Sequence, residues 1–207
     1  MTKKSVEDAA SRKRFNDNNA ALEAIIRPLQ RSVYEADYAW NKVFRSLEEH
    51  CKDYGGINYS PEFQRGHVWT DEQQCHFIEN VLRGVISTSG FLVQFNCPNW
   101  NNFNYQGDLP LGFECIDGLQ RLTAVKRFLD GKIKPLGLTP SDLECSSFTL
   151  RNYRFKVAVH AFEDKEDLLN HYLDLNRGGT PHSPAEIQRI ENMVERYRLE
   201  KSKRISS

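Results

Sequence analysis

The sequence has no hydrophobic run that approaches the length of a membrane-spanning helix. About 20 consecutive apolar residues are needed to cross the hydrocarbon core of a bilayer, and no segment of the 207-residue chain comes near that length. Residues 1–15 are polar and basic and lack the apolar segment of a secretory signal. We therefore expect no membrane partner.

The cysteine and histidine patterns that are typical of metal sites are also missing. The five cysteines lie far apart without a C-x-x-C pair, and the six histidines form no H-x-x-x-H or H-N-H pattern. This argues against a disulfide framework and against structural zinc, and it favours reduced thiols in a cytoplasmic protein. We interpret Cys75 and Cys115 as small core residues and the single histidines as structural or surface residues.

Neither sign of charge is in excess, because 28 basic residues balance 28 acidic ones. The balance is uneven along the chain: residues 1–14 and 189–207 each carry a net charge of +3, which leaves −6 between them. Basic ends can contact nucleic acid, but they are more often solvated tails. The 3 tryptophans, 8 tyrosines and 12 phenylalanines are spread along the chain and exclude a disordered protein.

The spacing of apolar residues predicts a mixed α/β chain with few strands. No glycine lies between Asn16 and Tyr54, and the helical spacing there predicts two helices or one bent helix, interrupted at Pro28. We assign 1–54 to an N-terminal helical arm, 55–190 to one compact domain, and 191–207 to a helix end with a basic tail.

Turn and cap signals divide the compact domain into short elements. Thr70 and Gln73 form a capping-box pattern at the start of a helix that stops at Gly84. Ser183 and Pro184 similarly begin the last helix. The other predicted elements are strands at 57–59, 90–96, 113–116 and 153–162, a loop at 97–112, helices at 119–130 and 165–175, and a turn at 177–181.

The most informative local pattern is the junction at 116–123, where a strand leads through Asp117 and Gly118 directly into a helix. Unsatisfied N–H groups at a helix start favour an anion such as phosphate, and glycine permits its close approach. Arg121 is placed to grip phosphate with two hydrogen bonds, and Asp117 to hold Mg²⁺ or position a water molecule. A simpler alternative is that Asp117 caps the helix and Arg121 pairs with a nearby acid.

Two further loops contain residue types that suit an anion site. In 61–69, large aromatic residues surround Gln64 and Arg65, and we expect Arg65 to project toward the same pocket as Arg121; the alternative is an ordered surface loop. In 176–181, an arginine, glycines and a hydroxyl precede a capped helix, but the lysine and the spacing of a P-loop are missing. A simple connection between helices explains this second loop equally well.

Taken in order, these segments resemble one protein family. The motifs are PEFQR-x-x-VW from Pro61, LRG from Leu82, IDG-x-QRLTA-x-x-x-FL-x-G from Ile116, and LNRGGTPHSPAEI from Leu175. Their order over 57–189 is similar to the N-terminal domain family of GmrSD-type restriction endonucleases, within the ParB/sulfiredoxin-like superfamily. The resemblance implies an α/β (α+β) fold with a small mixed sheet flanked by helices.

The resemblance also implies chemistry for particular residues. Such domains bind and often hydrolyse nucleoside triphosphates, and in related proteins this regulates cleavage of modified or foreign DNA. The family's D-G-Q-Q-R motif falls on 117–121, with Leu119 in place of the first glutamine. The implied catalytic residues are Asp117, Gln120 and Arg121, with Mg²⁺ at Asp117, and the implied nucleotide-binding residues are Gln64, Arg65, Gly118, Thr123 and Asn176.

These observations lead to three functional hypotheses. The first is a stand-alone, Mg²⁺-dependent NTPase that acts on or responds to DNA, since the sequence has no H-N-H nuclease domain after the ParB-like part. The second is a non-catalytic DNA- or protein-binding regulator or decoy on the same fold. The third is a phosphotransferase that passes the phosphate to a hydroxyl group. Expected partners are DNA, a separate nuclease or defence protein, and a second copy docked through the helical arm.

Overall fold

The computed structural model describes residues 3–66, 68–86, 92–178 and 183–205. The chain divides into two compact units, Met1–Gln30 and Arg31–Ser207. The first unit consists mainly of helix α1 (Lys3–Ile26), which ends before Pro28 as predicted. The apolar residues Phe15, Ile25 and Ile26 of this helix are exposed.

The second unit is built around a five-stranded mixed sheet with the strand order β1-β5-β3-β4-β2. β1 pairs antiparallel with β5, β5 pairs parallel with β3, β3 pairs antiparallel with β4, and β4 pairs parallel with β2. The strands are β1 (Tyr34–Ala39), β2 (Ile57–Asn58), β3 (Leu92–Asn96), β4 (Phe113–Asp117) and β5 (Arg154–His160). The mixed α/β class predicted from the sequence is confirmed.

Helices cover both faces of this sheet. They are α2 (Val43–Cys51), α3 (Asp71–Leu82), α4 (Leu119–Leu129), α5 (Lys165–Gly178) and α6 (Pro184–Ile205), with short 3₁₀ turns at Lys52–Tyr54, Pro135–Gly137, Pro140–Leu143 and Leu150–Asn152. Successive residues of a strand point to opposite faces. Cys115 accordingly packs in the cluster with α2, α3 and α4, and Ile116 packs in the cluster with α5 and α6. Within the described residues, no helix combines the length and apolarity needed to cross a membrane.

The predicted cap signals of the helices are confirmed. At the start of α3 the Gln73 N–H donates to Thr70 Oγ1 at 3.3 Å, and the Thr70 N–H donates to Gln73 Oε1 at 2.9 Å. Gly84 follows α3 with a φ of +72°, a conformation that glycine adopts without strain. At the start of α6 the Glu186 N–H donates to Ser183 Oγ at 3.2 Å.

The structure corrects the sequence analysis at two elements. Residues 34–39 are not helical: they form β1, because antiparallel pairing with β5 outweighs the local helical spacing. The helix predicted over 165–175 continues through Gly178, so Arg177 lies in α5 and not in a turn. The rest of that predicted turn, 179–181, lies outside the described residues, as do His67, His182 and residues 90–91 of the predicted strand.

Candidate functional site

A cavity of about 410 Å³ lies where β4 ends and α4 begins. Its volume falls in the range of roughly 300–1,000 Å³ that is typical of small-molecule sites. The loop before α3 and the end of α5 complete its walls. The lining residues are Gln64, Arg65, Trp69, Ile116, Asp117, Gly118, Leu119, Gln120, Arg121, Leu175 and Asn176.

The start of helix α4 lies at the cavity and follows directly on β4. Gly118 is the N-cap residue of α4, with φ +94° and ψ +3°, and no side chain caps this helix. The first helical hydrogen bond runs from the Leu122 N–H to the Gly118 carbonyl, so the preceding N–H groups have no partner within the helix. The positive end of the helix dipole therefore lies at the cavity wall.

Asp117 and Arg121 form an ion pair beside this helix start. Arg121 Nη2 lies 2.5 Å from Asp117 Oδ2, and the two side chains are 26% and 44% exposed. The simpler alternative from the sequence is thus right for Arg121, which pairs with an acid one helical turn away. It is wrong for Asp117, because no side chain caps α4.

Arg65 brings a second guanidinium group to the cavity. Its side chain is half-buried, and among the described residues it makes no side-chain ion pair or hydrogen bond. Its backbone is fixed by a hydrogen bond with the Tyr172 hydroxyl, whose pKa burial raises to about 12. Arg65 and Arg121 therefore line the same cavity, as the sequence predicts, and Arg65 supplies the cation that has no carboxylate partner there.

Two glutamine side chains hold in place the loop that contains Arg65 and Trp69, which we call the cavity loop. Gln64 Nε2 donates to the Ile116 carbonyl at 3.1 Å, and Gln64 Oε1 accepts from the Tyr172 hydroxyl at 3.3 Å. Gln120 Oε1 accepts from the Val68 N–H at 2.9 Å and from the Trp69 N–H at 3.1 Å.

Gln120 Nε2 completes this arrangement by donating to the Gly66 carbonyl at 3.0 Å. Both amide groups are thereby committed to bonds within the protein. The family resemblance implies nucleotide binding for Gln64 and catalysis for Gln120, and the observed hydrogen bonds give both side chains a role in positioning the loop.

The other predicted site residues differ in their placement. Asn176 lines the cavity from the end of α5, where its Nδ2 donates to the Tyr172 carbonyl at 2.6 Å. Thr123 lies further along α4 and is not among the lining residues. Beneath the junction, burial raises the pKa of the Cys115 thiol to about 12, so this cysteine is a neutral core residue.

The lining also includes a group of apolar side chains, for which the sequence predicts no functional role. It consists of Trp69, Leu119 and Leu175, all of which line the cavity. The available signals were Trp69 close after the Gln-Arg pair and an apolar residue at the first position of α4. Leu175 carries no comparable signal, because its place at the cavity depends on how α5 packs.

The cavity suits a magnesium ion only in part. No group of three or more His, Cys, Asp or Glu residues in the described segments is placed to hold a metal ion. Asp117 is the carboxylate among the lining residues, and its Oδ2 is already bound to Arg121. Because Mg²⁺ is commonly held by one carboxylate together with water and substrate phosphates, the site fits an ion that arrives with a phosphate ligand.

A comparison with known families identifies the domain. The family model of the GmrSD restriction endonuclease N-terminal domain matches residues 47–156, which is more than half of the chain. The matched range includes Gln64, Arg65 and the 117–121 junction but ends before Asn176. No curated protein and no solved structure matches the chain. The chain belongs to the family of GmrSD restriction endonuclease N-terminal domains.

Proposed function

We propose that the chain binds a nucleoside triphosphate in this cavity through its phosphates and hydrolyses it, in a role linked to DNA restriction. The observation that carries the proposal is the Arg65 guanidinium, which has no carboxylate partner among the described residues and lines the same cavity as the uncapped start of α4. An unpaired cation beside a helix N-terminus favours a multiply charged anion.

Arg121 supplies further donors for this anion. A guanidinium group has five N–H donors, and the bond to Asp117 uses one nitrogen of the group. Phosphate oxygens match the planar donor geometry of arginine. A bound phosphate therefore competes with Asp117 for Arg121, while Arg65 is available without that competition.

In this proposal Asp117 serves the hydrolytic step. Its Oδ2 bonds to Arg121, and its other carboxylate oxygen is available to accept a hydrogen bond from a water molecule near the bound phosphate. Magnesium, held by Asp117 and the phosphates, would neutralise charge on the phosphates. Arg121 positions the Asp117 carboxylate through their ion pair.

The family description supports a link to DNA. Ion pairs within the protein reduce the basic charge that α6 could offer to DNA. Basic residues of α6 pair with acids of the same unit: Arg196 with Glu62, Arg198 with Glu166, Lys201 with Asp164, and Arg204 with Asp108. These pairs leave α6 a weak electrostatic surface for DNA. We therefore propose that DNA acts as an effector, and that α1, with its exposed apolar residues, docks a separate nuclease, a defence protein or a second copy.

Phosphate release from ATP, GTP and CTP with Mg²⁺, with and without DNA, tests the proposal. Asp117→Asn and Arg121→Ala are expected to lower turnover by roughly 100-fold, as the loss of a charge-stabilising group does in other enzymes. Arg45→Ala is the matched control, because Arg45 also pairs with an acid one turn away, Glu49, on an exposed helix face. The control is expected to keep full turnover.

Two results would refute the proposal: no phosphate release with any nucleotide, or equal turnover in the native chain and Arg121→Ala. Nucleotide affinity gives an independent check. Because Arg65 has no carboxylate partner in the part of the chain that the structure describes and Arg121 has one, Arg65→Ala should weaken nucleotide binding more than Arg121→Ala does.

A second candidate is a nucleotide-binding regulator without catalysis. It is favoured by the fact that the carboxylate among the described lining residues is already paired with Arg121. Tight nucleotide binding without phosphate release would support this candidate. Transfer of labelled γ-phosphate to a hydroxyl acceptor, without free phosphate, would instead identify a phosphotransferase.

A further inference from the structure

We infer that Trp69 stacks on the nucleobase and that the site accepts nucleoside triphosphates with little regard to which base they carry. The inference rests on the proposed function and concerns the lining residues that the phosphates do not need. Trp69, Leu119 and Leu175 are the apolar side chains of the lining, which also includes Arg65 and Arg121.

Trp69 is held firmly enough to act as a stacking surface. Its ring packs on Phe77 of α3 with the ring centroids 5.5 Å apart, and its backbone N–H donates to Gln120 Oε1 at 3.1 Å. The indole is half-buried against the main core while it lines the cavity. An aromatic face fixed in this way offers a base the same contact whatever groups the base carries at its edge.

The side chains that would read a base edge are occupied. Amides are well suited to this reading, because one group both donates and accepts. Gln64 and Gln120 each use both ends of the amide within the protein, and Asn176 uses its donor on the Tyr172 carbonyl.

The remaining polar side chains of the described cavity wall are charged. Arg65 and Arg121 donate only and face the phosphate end in the proposed function, and the Asp117 carboxylate is paired with Arg121. Leu119, at the first position of α4, presents hydrocarbon. Discrimination between bases needs polar partners that the wrong base leaves unpaired, and these lining residues offer few of them.

Direct binding measurements on the full chain test the inference. The ligands are ATP, GTP, CTP, UTP and inorganic tripolyphosphate, which carries the charge without a base. The four nucleotides are expected to bind within roughly 5-fold of one another, and Trp69→Ala to weaken all four by roughly 10-fold or more, as loss of base stacking does. Tripolyphosphate should bind Trp69→Ala as well as it binds the native chain.

Two further variants separate stacking from damage to the fold. Trp69→Phe keeps an aromatic face and should retain most of the nucleotide affinity. Phe103→Ala removes an aromatic side chain that is 74% exposed and does not line the cavity, so it should bind like the native chain. Thermal melting of each variant identifies any loss of fold.

The outcomes distinguish this inference from the function on which it rests. If neither nucleotides nor tripolyphosphate bind, the proposed function itself fails. If they bind but Trp69→Ala leaves nucleotide affinity unchanged, or weakens tripolyphosphate equally, the stacking role is refuted. A preference of more than roughly 30-fold for one nucleotide would refute the lack of base selectivity, since it requires polar reading of the base.

Discussion

Lowering the pH from 7 to 5 should destabilise this protein through two histidines buried side by side. The rings of His160 on β5 and His171 on α5 lie with centroids 4.6 Å apart, and the residues are 3% and 5% exposed. His160 Nε2 bonds to Gln94 Oε1 at 2.9 Å. In the described part of the chain, His160 Nδ1 and His171 Nε2 are buried without a hydrogen-bond partner. A proton added to either ring would therefore be a buried, poorly solvated charge.

The size of the effect follows from the pKa of His160. Burial, with a smaller contribution from His171, lowers this pKa from 6.5 to about 4, while Glu35 opposes the shift. Burial also lowers the pKa of His171, against the opposing charge of Asp174. The unfolded chain thus binds protons at a higher pH than the folded chain does. Stability falls as the pH drops below the unfolded pKa, and His160 alone accounts for about 2 kcal/mol between pH 7 and pH 5.

Urea unfolding at pH 7, 6 and 5 measures this loss. In the double variant His160→Leu with Gln94→Leu, which removes the buried imidazole together with its hydrogen-bond partner, most of the pH dependence should disappear. His76→Leu is the control, because His76 lies on the exposed side of α3 and should leave the native pH dependence in place. An unfolding free energy that is constant over this range, or an equal pH dependence in the double variant, would refute the reasoning.

Three other substitutions test the geometry around the cavity. Gly118→Ala should lower the free energy of unfolding by about 1–2 kcal/mol, because Gly118 has a φ of +94°; an unchanged urea midpoint would contradict this. Thr70→Ala removes the acceptor for the Gln73 N–H and should cost about 1 kcal/mol in the same assay. Gln120→Leu should speed hydrogen exchange of the Val68 and Trp69 amides, and unchanged protection would show that the loop is held by other contacts.

The sequence predicts the elements whose signals are local and misses the one whose pairing is distant. The cap at Thr70 and the stop at Gly84 depend on neighbouring residues and are found where the sequence places them. Strand β1 pairs with residues 154–159, far along the chain, and only the alternation of Tyr34, Ala36 and Tyr38 marks it locally. The apolar residues of the same stretch also fit the spacing of a helix. Their periodicity therefore does not decide between helix and strand unless the partner strand is known.

In the candidate site, too, local sequence signals predict some features, whereas others depend on contacts between distant parts of the chain. The strand–Gly–helix junction at 117–121 indicates an anion site from its local chemistry, and the i, i+4 spacing of Asp117 and Arg121 permits their ion pair. The local sequence does not predict that Gln64 and Gln120 hold the cavity loop, because their hydrogen-bond partners lie about 50 residues away along the chain. The same holds for Leu175, whose position follows from the packing of α5 on the sheet.

The Arg121–Asp117 ion pair connects two requirements of the proposed function, which are the binding of phosphate and the availability of the Asp117 carboxylate. Half-exposed pairs such as Arg121–Asp117 contribute only about 0.2–1 kcal/mol, so the pair opens at little cost. While it is closed, Arg65, which has no carboxylate partner in the described segments, is in the proposed function the group that first attracts a phosphate. When phosphate oxygens then engage the remaining N–H donors of Arg121, the Asp117 carboxylate shares its partner and becomes a better ligand for a cation that arrives with the phosphate. In the proposed function, anion binding and the readiness of Asp117 for chemistry are therefore one coupled event, because both depend on the same bond.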